Sequence, residues 1–187
     1  MLVRSNGRVQ DLRAPLEDGQ PIQILTTRDA DDPDALAVLR HSAAHLLAEA
    51  VRRLYPGVKI AIGPPIENGF YYDFEFPEPI GEDALERIEE EIRRELSEGR
   101  SWAREEIPRD EARRRFEAEG EPYKVELVET AEGDISLYTQ GEFTDLCRGP
   151  HLQDSKSIKA LKLTGLAGAY WRGDEKNTQL TRIYGTA

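Results

Sequence analysis

The spacing of apolar residues along the chain predicts three helices. Between about Asp34 and Tyr55, leucines and alanines recur every three or four residues and fall on one side of a helix. A second helix is predicted from about Glu82 to Ser97, with an apolar face and with Glu–Arg pairs four residues apart on its outer face. A third is predicted around Arg109–Glu119. Asp32 and Pro33 suit the N-cap and the first turn of the first helix.

Shorter runs rich in β-branched and aromatic residues predict strands. The runs "GRVQDL" and "IQILTT" precede the first helix, "VKIAIGP" and "NGFYYDFEF" follow it, and "ISLYTQ", "IKALKLTGLAGAYW" and "QLTRIYG" lie nearer the end. Prolines and an Asn-Gly pair mark turns. Helices combined with antiparallel hairpins predict an α+β fold, with the helices packed on an antiparallel sheet.

The linker-like stretch "DADDPD" divides the chain into two unequal parts. The part before it is too short to bury a core of its own. We therefore expect residues 1–28 to be the end of a larger β module, residues 29–34 to be a linker, and residues 35–187 to form the main domain.

Composition places the chain among ordinary globular proteins, with 39% hydrophobic and 33% charged residues. The first residues contain no apolar signal region, and no segment is long enough to span a bilayer, so no membrane partner is expected. The single cysteine excludes an internal disulfide and fits a reducing compartment. These features together predict a cytoplasmic protein.

The net charge of −11 argues against a nucleic-acid partner only as an average over the chain. Residues 67–146 hold 25 acidic and 10 basic residues, whereas residues 147–187 hold seven basic and three acidic ones. Two solvated faces would explain this distribution. A basic surface at the end of the chain is nevertheless compatible with a polyanionic partner.

All three histidines and the one cysteine fall in two short motifs. "RHSAAH" places His41 and His45 four residues apart on the helix side opposite the leucines. "CRGPH" places Cys147 and His151 on a loop, because the Gly-Pro pair between them excludes a helix. Three nitrogens and one sulfur suit tetrahedral zinc, and without metal the same groups could polarise a small substrate. Two exposed histidines on a solvated face, or a coincidence of motifs, stay open as alternatives.

Four longer motifs together resemble the editing domain of bacterial-type threonyl-tRNA synthetases. They are "RHSAAHLLAEAV", "AIGPPIENGFYYDFE", "FTDLCRGPH" and "AGAYWRGDEKNTQLTRIYGT". The resemblance runs from about residue 35 to the end, and it implies the alanyl/threonyl-tRNA editing fold and hydrolysis of the ester in Ser-tRNA(Thr). It further implies that residues 1–28 are the truncated end of a ubiquitin-like TGS module, and that the family's aminoacylation domain is absent from this chain.

The resemblance also implies roles for single residues. His41 and Lys124 match the positions that handle the attacking water, although the sequence alone favours a surface lysine at position 124. Asp145 and Cys147 match positions that contact the seryl group. His45 and His151 match positions that complete the pocket, and Gly63 and Tyr72 match positions near the terminal adenosine.

The resemblance implies that no cofactor is required, because the threonyl-type family is understood to work without metal, unlike its alanyl relatives. Zinc on His41, His45, Cys147 and His151 stays possible. The implied partners are the 3′ end of tRNA(Thr) carrying serine and, in a full-length enzyme, C-terminal aminoacylation and anticodon-binding domains. Two other functions remain open: an alanyl-tRNA deacylase, whose second motif typically reads C-G-G-T-H, and a zinc-stabilised binding module without catalysis.

Overall fold

Four α-helices and eleven β-strands form the described part of the chain, which comprises residues 2–12, 14–26, 28–29 and 31–187 of a computed structural model. The helices are α1 (Pro33–Leu54), α2 (Asp83–Glu98), α3 (Arg109–Glu119) and α4 (Pro122–Thr130). The strands are β1 (Leu2–Ser5), β2 (Arg8–Gln10), β3 (Ile22–Leu25), β4 (Lys59–Ile60), β5 (Pro65–Ile66), β6 (Gly69–Glu75), β7 (Ala103–Ile107), β8 (Ile135–Gln140), β9 (Phe143–Leu146), β10 (Lys162–Tyr170) and β11 (Gln179–Thr186). The predicted α+β class is confirmed.

The strands form three antiparallel sheets rather than one. The N-terminal sheet has the order β2-β1-β3. The main sheet has the order β10-β11-β6-β4, with β5 also paired to β6. The third sheet has the order β7-β8-β9. Helices α1 and α2 pack together on the side of the main sheet, and α3 packs with α4.

The three predicted helices are confirmed to within a few residues, but helix α4 and strands β1, β5, β7 and β9 were not predicted. Helix α4 is only 9 residues long and follows α3 after a short break. That break carries two sequence signals: Gly120 ends α3 with a φ of 70°, and Pro122 opens α4. Strand β7 reads "AREEI" and is mostly exposed, so it lacks an apolar pattern.

Helix α1 is buried on all sides along its second half, which corrects the predicted amphipathic pattern. Every residue from Ser42 to Val51 is buried, whichever side of the helix it lies on. Helix α2 and strands β4 to β6 cover part of this surface. The loop after β9 covers the side that bears the histidines, through contacts such as that of Ser42 with His151. The alternative of two exposed histidines is therefore wrong.

The N-terminal sheet shares the core of the rest of the chain. Leu2 and Leu25 are 2% and 1% exposed and belong to the same apolar cluster as Val38 of α1. Arg4 also forms an ion pair of 2.7 Å with Asp32, the residue whose side chain caps α1. These contacts agree with the expectation that so short a segment lacks a core of its own. The division into residues 1–28, 29–34 and 35–187 remains a prediction.

Helix α2 buries acidic side chains that its sequence pattern placed on the outer face. Of the two predicted pairs, Glu89–Arg93 forms at 3.5 Å, although Glu89 itself is buried. In place of the predicted Glu90–Arg94 pair, Arg94 contacts Glu91 and Glu98. No described helix is both long enough and apolar enough to cross a membrane.

Glu95 of α2 is the most deeply buried of these acids. It is 0% exposed, and within the described residues neither of its carboxyl oxygens has a hydrogen-bond partner. Burial, and after it the nearby charge of Glu49, raises the pKa of Glu95 to about 9. The folded protein therefore holds a proton on Glu95 at neutral pH, where an unfolded chain would have released it.

Substituting Glu95→Gln should make the protein less sensitive to alkaline pH. Because folding raises the pKa of Glu95, its contribution to stability is complete below the unfolded value of about 4.3 and is lost as pH rises toward the folded value. We expect nearly equal free energies of unfolding for variant and parent near pH 4, and a variant more stable by about 3–4 kcal/mol near pH 7.5. Urea unfolding across this range measures the difference. Glu90→Gln, exposed on the same helix, is the control, and a pH-independent difference would contradict the assignment.

Candidate active site

Helix α1 presents His41 and His45 one turn apart on the same side. Their ring centroids are 5.0 Å apart. His45 is 2% exposed, whereas His41 is half-buried. Because α1 is capped at Asp32 and covered along its second half, both imidazoles are carried by a rigid element.

The loop after β9 brings Cys147 and His151 to these imidazoles, as the sequence predicted. The backbone N–H of Cys147 donates to the carbonyl of Ser136 at 3.1 Å, which extends the pairing of β9 with β8. The loop then turns through a cis peptide between Gly149 and Pro150. Gly149 has a φ of 70°, and a Cβ there would come within 2.0 Å of the Tyr138 hydroxyl. Only glycine therefore fits at this turn.

Four side chains meet where the helix faces the loop. Nε2 of His41 lies 2.9 Å from Sγ of Cys147, and Sγ lies 3.3 Å from Nε2 of His151. The ring centroids of His45 and His151 are 4.2 Å apart. The two motifs thus form one cluster, and coincidence no longer explains them.

Burial keeps these four groups uncharged. It lowers the pKa of His41 below its usual 6.5 and lowers the pKa values of His45 and His151 well below it. Burial also raises the pKa of Cys147 to about 12. At neutral pH the imidazoles are therefore neutral and able to accept a proton, and the thiol is protonated.

A buried ion pair lies beside the cluster. Nζ of Lys124 contacts Oδ1 of Asp145, and the two residues are 3% and 2% exposed. The hydroxyl of Tyr72 joins them, donating to Oδ2 of Asp145 at 2.5 Å and accepting from Nζ of Lys124 at 3.0 Å. Nε2 of His45 lies 3.6 Å from the same Oδ2. The alternative that Lys124 is a surface lysine is wrong.

Burial, more than the ion pair, sets the protonation of the neighbouring groups. Burial, and after it Asp145, raises the pKa of Tyr72 well above 10, so the phenol remains a hydrogen-bond donor. Burial lowers the pKa of His41, where Asp145 opposes the shift and Lys124 adds to it by less, and burial, then His41 and then Lys124 lower the pKa of His45. A positive charge therefore stands next to imidazoles that stay neutral.

The ion pair and the tyrosine that joins it come from one helix and two strands of different sheets. Lys124 is on α4, Asp145 on β9 and Tyr72 on β6. Helices α3 and α4 are fixed to the third sheet by a small apolar cluster whose fully buried members include Phe116, Val128 and Leu137. Only the resemblance pointed to Lys124, because helix α4, which carries this residue, was not predicted from the sequence.

Gly63 lies directly against the ring of Tyr72. A Cβ at Gly63 would come within 2.0 Å of Cδ2 of that ring, so the ring packs on bare backbone. A cavity of about 330 Å³ opens beside Cys147 and is lined partly by apolar side chains such as Ile62 and Leu127. Of the eight residues assigned to the site, Cys147 is the one that lines this cavity.

All eight residues assigned to the site from sequence lie in one connected region. Cys147 links His41 to His151, and Asp145 links His45 to Lys124 and Tyr72, on which Gly63 packs. Their individual roles remain predictions.

Several residues that support the site were not predicted. Oγ of Ser42 lies 3.1 Å from Nδ1 of His151, and the Trp102 ring is parallel to the His151 ring at 5.5 Å. Tyr138 packs edge-on against the same ring, and Asp11 accepts from the backbone N–H of His151. Ser42 alone had a sequence signal, its position between the histidines of "RHSAAH". The others come from distant segments that no local pattern connects.

The four-residue cluster also has the donor chemistry of a zinc site. One potential ligand atom from each of His41, His45, Cys147 and His151 lies within 4.8 Å of the others. Nδ1 of His45 is buried and has no hydrogen-bond partner in the described part of the chain. The residues therefore fit a metal ion in kind. Four protein ligands would fill a tetrahedral shell and leave no position for water, which describes a structural zinc site.

Comparison with known proteins gives the site a family context. Residues 135–184 match the family described as the second additional domain of threonyl and alanyl tRNA synthetases. This segment includes Asp145, Cys147 and His151, whereas the histidines of α1 and Lys124 lie outside it.

Similarity to individual proteins covers nearly all of the chain. It is 51% identical over 184 residues to a threonine–tRNA ligase of Anoxybacillus flavithermus, 49% over 187 residues to one of Nitratidesulfovibrio vulgaris and 48% over 188 residues to one of Rubrobacter xylanophilus. These alignments cover 97%, 98% and 100% of this chain. The chain spans only 28% to 29% of the length of these relatives. Over almost its whole length, the chain is therefore similar to one part of bacterial threonine–tRNA ligases, and it contains a match to the second additional domain of threonyl and alanyl tRNA synthetases.

Proposed function

We propose that this chain is an editing hydrolase that cleaves the ester bond of Ser-tRNA(Thr). One observation supports this above all: the buried Lys124–Asp145 pair lies beside the neutral imidazoles of His41 and His45. Such a site offers a proton acceptor and a fixed positive charge in surroundings from which water is largely excluded. Ester hydrolysis needs both, since water must lose a proton while charge develops on the carbonyl oxygen.

The reaction meets a physical need of threonine-specific synthesis. Serine lacks one methyl group of threonine, and a missing methyl in a binding pocket is worth only about 1–3 kcal/mol, or about 10–200-fold. A synthetic site alone would therefore attach serine too often. A second, hydrolytic site that admits serine and excludes the larger threonine side chain removes the error.

In the proposed reaction, His41 accepts a proton from the attacking water. The water oxygen forms a bond to the seryl carbonyl carbon, the bond from that carbon to the ribose oxygen breaks, and the proton passes to the ribose oxygen. Serine and free tRNA(Thr) are the products. The neutral state of His41 at pH 7 suits it to this task, and Lys124 stabilises the negative charge that develops on the carbonyl oxygen.

Asp145 is the acceptor we assign to the ammonium group of the seryl moiety. Its carboxylate is already neutralised by Lys124 and Tyr72, so no unpaired charge is buried before substrate arrives. Cys147, at the edge of the cavity, would contact the seryl side chain, and His45 and His151 would complete the pocket. Gly63 and Tyr72 would lie near the terminal adenosine.

The proposed setting follows from the same assignment. The 3′ end of tRNA(Thr) is the partner, and the basic stretch 147–187 is the part of the chain best suited to approach it. In a longer protein, C-terminal aminoacylation and anticodon-binding domains would be further partners. We place the protein in the cytoplasm, with no membrane partner.

A zinc-stabilised module is the second candidate, favoured by the convergence of four ligand atoms within 4.8 Å. In that arrangement His41, His45, Cys147 and His151 would hold the ion, and its contribution would be to folding. Lys124 already supplies a positive charge beside the cluster, and a filled shell would occupy His41. We therefore propose that hydrolysis requires no metal, and that zinc binds the site only adventitiously.

The protein should deacylate Ser-tRNA(Thr) and largely spare Thr-tRNA(Thr). Release of labelled amino acid from each substrate measures this, with Ala-tRNA(Ala) as a third substrate. Preference for Ala-tRNA(Ala) would favour the alanyl-type alternative. Equal hydrolysis of the seryl and threonyl esters, or of neither, would be incompatible with editing.

His41→Ala and Lys124→Met should each lower the single-turnover rate by about 10²–10³-fold while changing substrate affinity much less, because both residues are assigned to the transition state. Arg114→Ala, which removes an exposed positive charge outside the basic stretch 147–187, is the matched control. Lys124→Met leaves Asp145 unpaired and can impair folding. The double variant Lys124→Met/Asp145→Asn restores neutrality, and circular dichroism checks its fold. A folded Lys124 single variant with full turnover would show that its role is wrongly assigned.

Exhaustive chelation should leave deacylation of Ser-tRNA(Thr) unchanged, since the proposed chemistry uses His41 and Lys124 without metal. Elemental analysis of the same protein before and after chelation measures the zinc content, and thermal unfolding follows its stability. If zinc is stoichiometric and its removal abolishes an activity that added zinc restores, the metal-free mechanism is wrong. Loss of folding without any deacylase activity would instead support the zinc-stabilised module.

A further inference from the structure

Asp11 connects the N-terminal sheet to the loop of the candidate site. It follows β2 directly and is 127 and 140 residues away from its two partners in sequence. Its Oδ2 accepts a hydrogen bond from the Tyr138 hydroxyl at 2.5 Å, and its Oδ1 accepts from the backbone N–H of His151 at 3.0 Å. One carboxylate thus holds a strand of the third sheet and the loop together.

Of the two hydrogen-bond partners of Asp11, His151 lies in the loop after β9 and Tyr138 packs against it. Tyr138 is 2% exposed, its ring meets the His151 ring with centroids 4.6 Å apart, and its hydroxyl occupies the space where a side chain at position 149 would lie. In the described part of the chain, Asp11 is the hydrogen-bond acceptor for that hydroxyl. Loss of the carboxylate would therefore leave a buried phenol unpaired and release the backbone of His151.

The contact of Asp11 with Tyr138 and His151 lies at the side of a groove. This groove of about 550 Å³ is lined from the N-terminal segment by Val9 and Gln10 and from the site side by Trp102 and Pro150. The groove interrupts apolar contact at this point of the boundary, although Leu2 and Leu25 share an apolar cluster with Leu152, the neighbour of His151. The two hydrogen bonds of the half-buried Asp11 carboxylate are the polar link across the groove.

We propose that Asp11 is a positioning residue of the hydrolytic site, and that the segment before α1 is thereby a working part of that site. Asp11 holds His151, whose Nε2 lies 3.3 Å from Sγ of Cys147, and Sγ in turn lies 2.9 Å from Nε2 of His41. The position of the loop relative to the proposed base therefore depends on Asp11 in addition to Ser42 of α1, whose Oγ lies 3.1 Å from Nδ1 of His151 and accepts from the backbone N–H of Leu152. The catalytic part of this inference rests on the proposed deacylation.

Kinetics of variants in the intact chain test the catalytic part. Asp11→Ala should lower the deacylation kcat by about 10–100-fold with little change in KM, because misplacement of the loop affects alignment rather than tRNA binding. Tyr138→Phe should have a smaller effect in the same direction, and the double variant should be no worse than Asp11→Ala alone. Asp11→Asn keeps one acceptor oxygen and should recover part of the rate. Asp18→Ala, exposed in the same segment, should behave as the parent.

Alkylation of the single cysteine tests positioning without any tRNA. Cys147 is buried, so iodoacetamide should react slowly with the parent protein and at least about tenfold faster with Asp11→Ala, whose loop is released. Ile88→Val, a core substitution in α2, controls for a general loss of stability. Measurements at temperatures equally far below each Tm compare the variants at matched stability.

The two experiments separate the outcomes. Parent-like kcat and parent-like alkylation in Asp11→Ala would overturn the proposal, as would equal acceleration of alkylation by Ile88→Val at matched stability. If the parent protein does not hydrolyse Ser-tRNA(Thr), the proposed function fails and the working role of Asp11 fails with it. Alkylation then still decides whether Asp11 holds the loop.

Discussion

The buried ion pair between Lys124 and Asp145 is the interaction on which the rest of the site depends. Removing two charges from water is expensive, and an isolated buried carboxylate or ammonium would not remain charged. The pair is tolerated because Tyr72 satisfies both partners with one hydroxyl group. Each of the three side chains comes from a different element, α4, β9 and β6, so the pair forms only when the third sheet, its helices and the main sheet are all in place.

Burial explains how neutral bases coexist with this charged pair in a small volume. Desolvation is the main cause that disfavours imidazolium at both His41 and His45, and the lysine charge adds to it. Cys147 remains a thiol because it is buried and because the negative charge of Asp145 is close. The two buried charges therefore lie together in the Lys124–Asp145 pair, and the neighbouring imidazoles and thiol are uncharged until a proton is transferred to one of them. This division suits hydrolysis of an ester whose own ammonium group must also be accommodated.

The sequence predicted those parts of the site that depend on short, continuous segments of the chain. The four-residue spacing of His41 and His45 on a capped helix, and the Gly-Pro turn before His151, are properties of short segments, and both are confirmed. The position of Lys124 could not be predicted from its surroundings, because α4 is short and carries no clear apolar stripe. The burial of the histidine side of α1 was also missed, since it is created by a loop more than 100 residues away. Trp102 and Tyr138 reach His151 only through tertiary packing.

The close approach of Gly63 to Tyr72 limits how this site can change over generations. The ring rests on bare backbone, so any side chain at position 63 requires a smaller residue at position 72. A smaller residue would lack the phenol that joins lysine to carboxylate, and both charges would then have to be replaced as well. The residues at positions 63, 72, 124 and 145 therefore constrain one another, although they lie on separate segments. A lineage that loses this glycine has no single-step route that retains the buried charges.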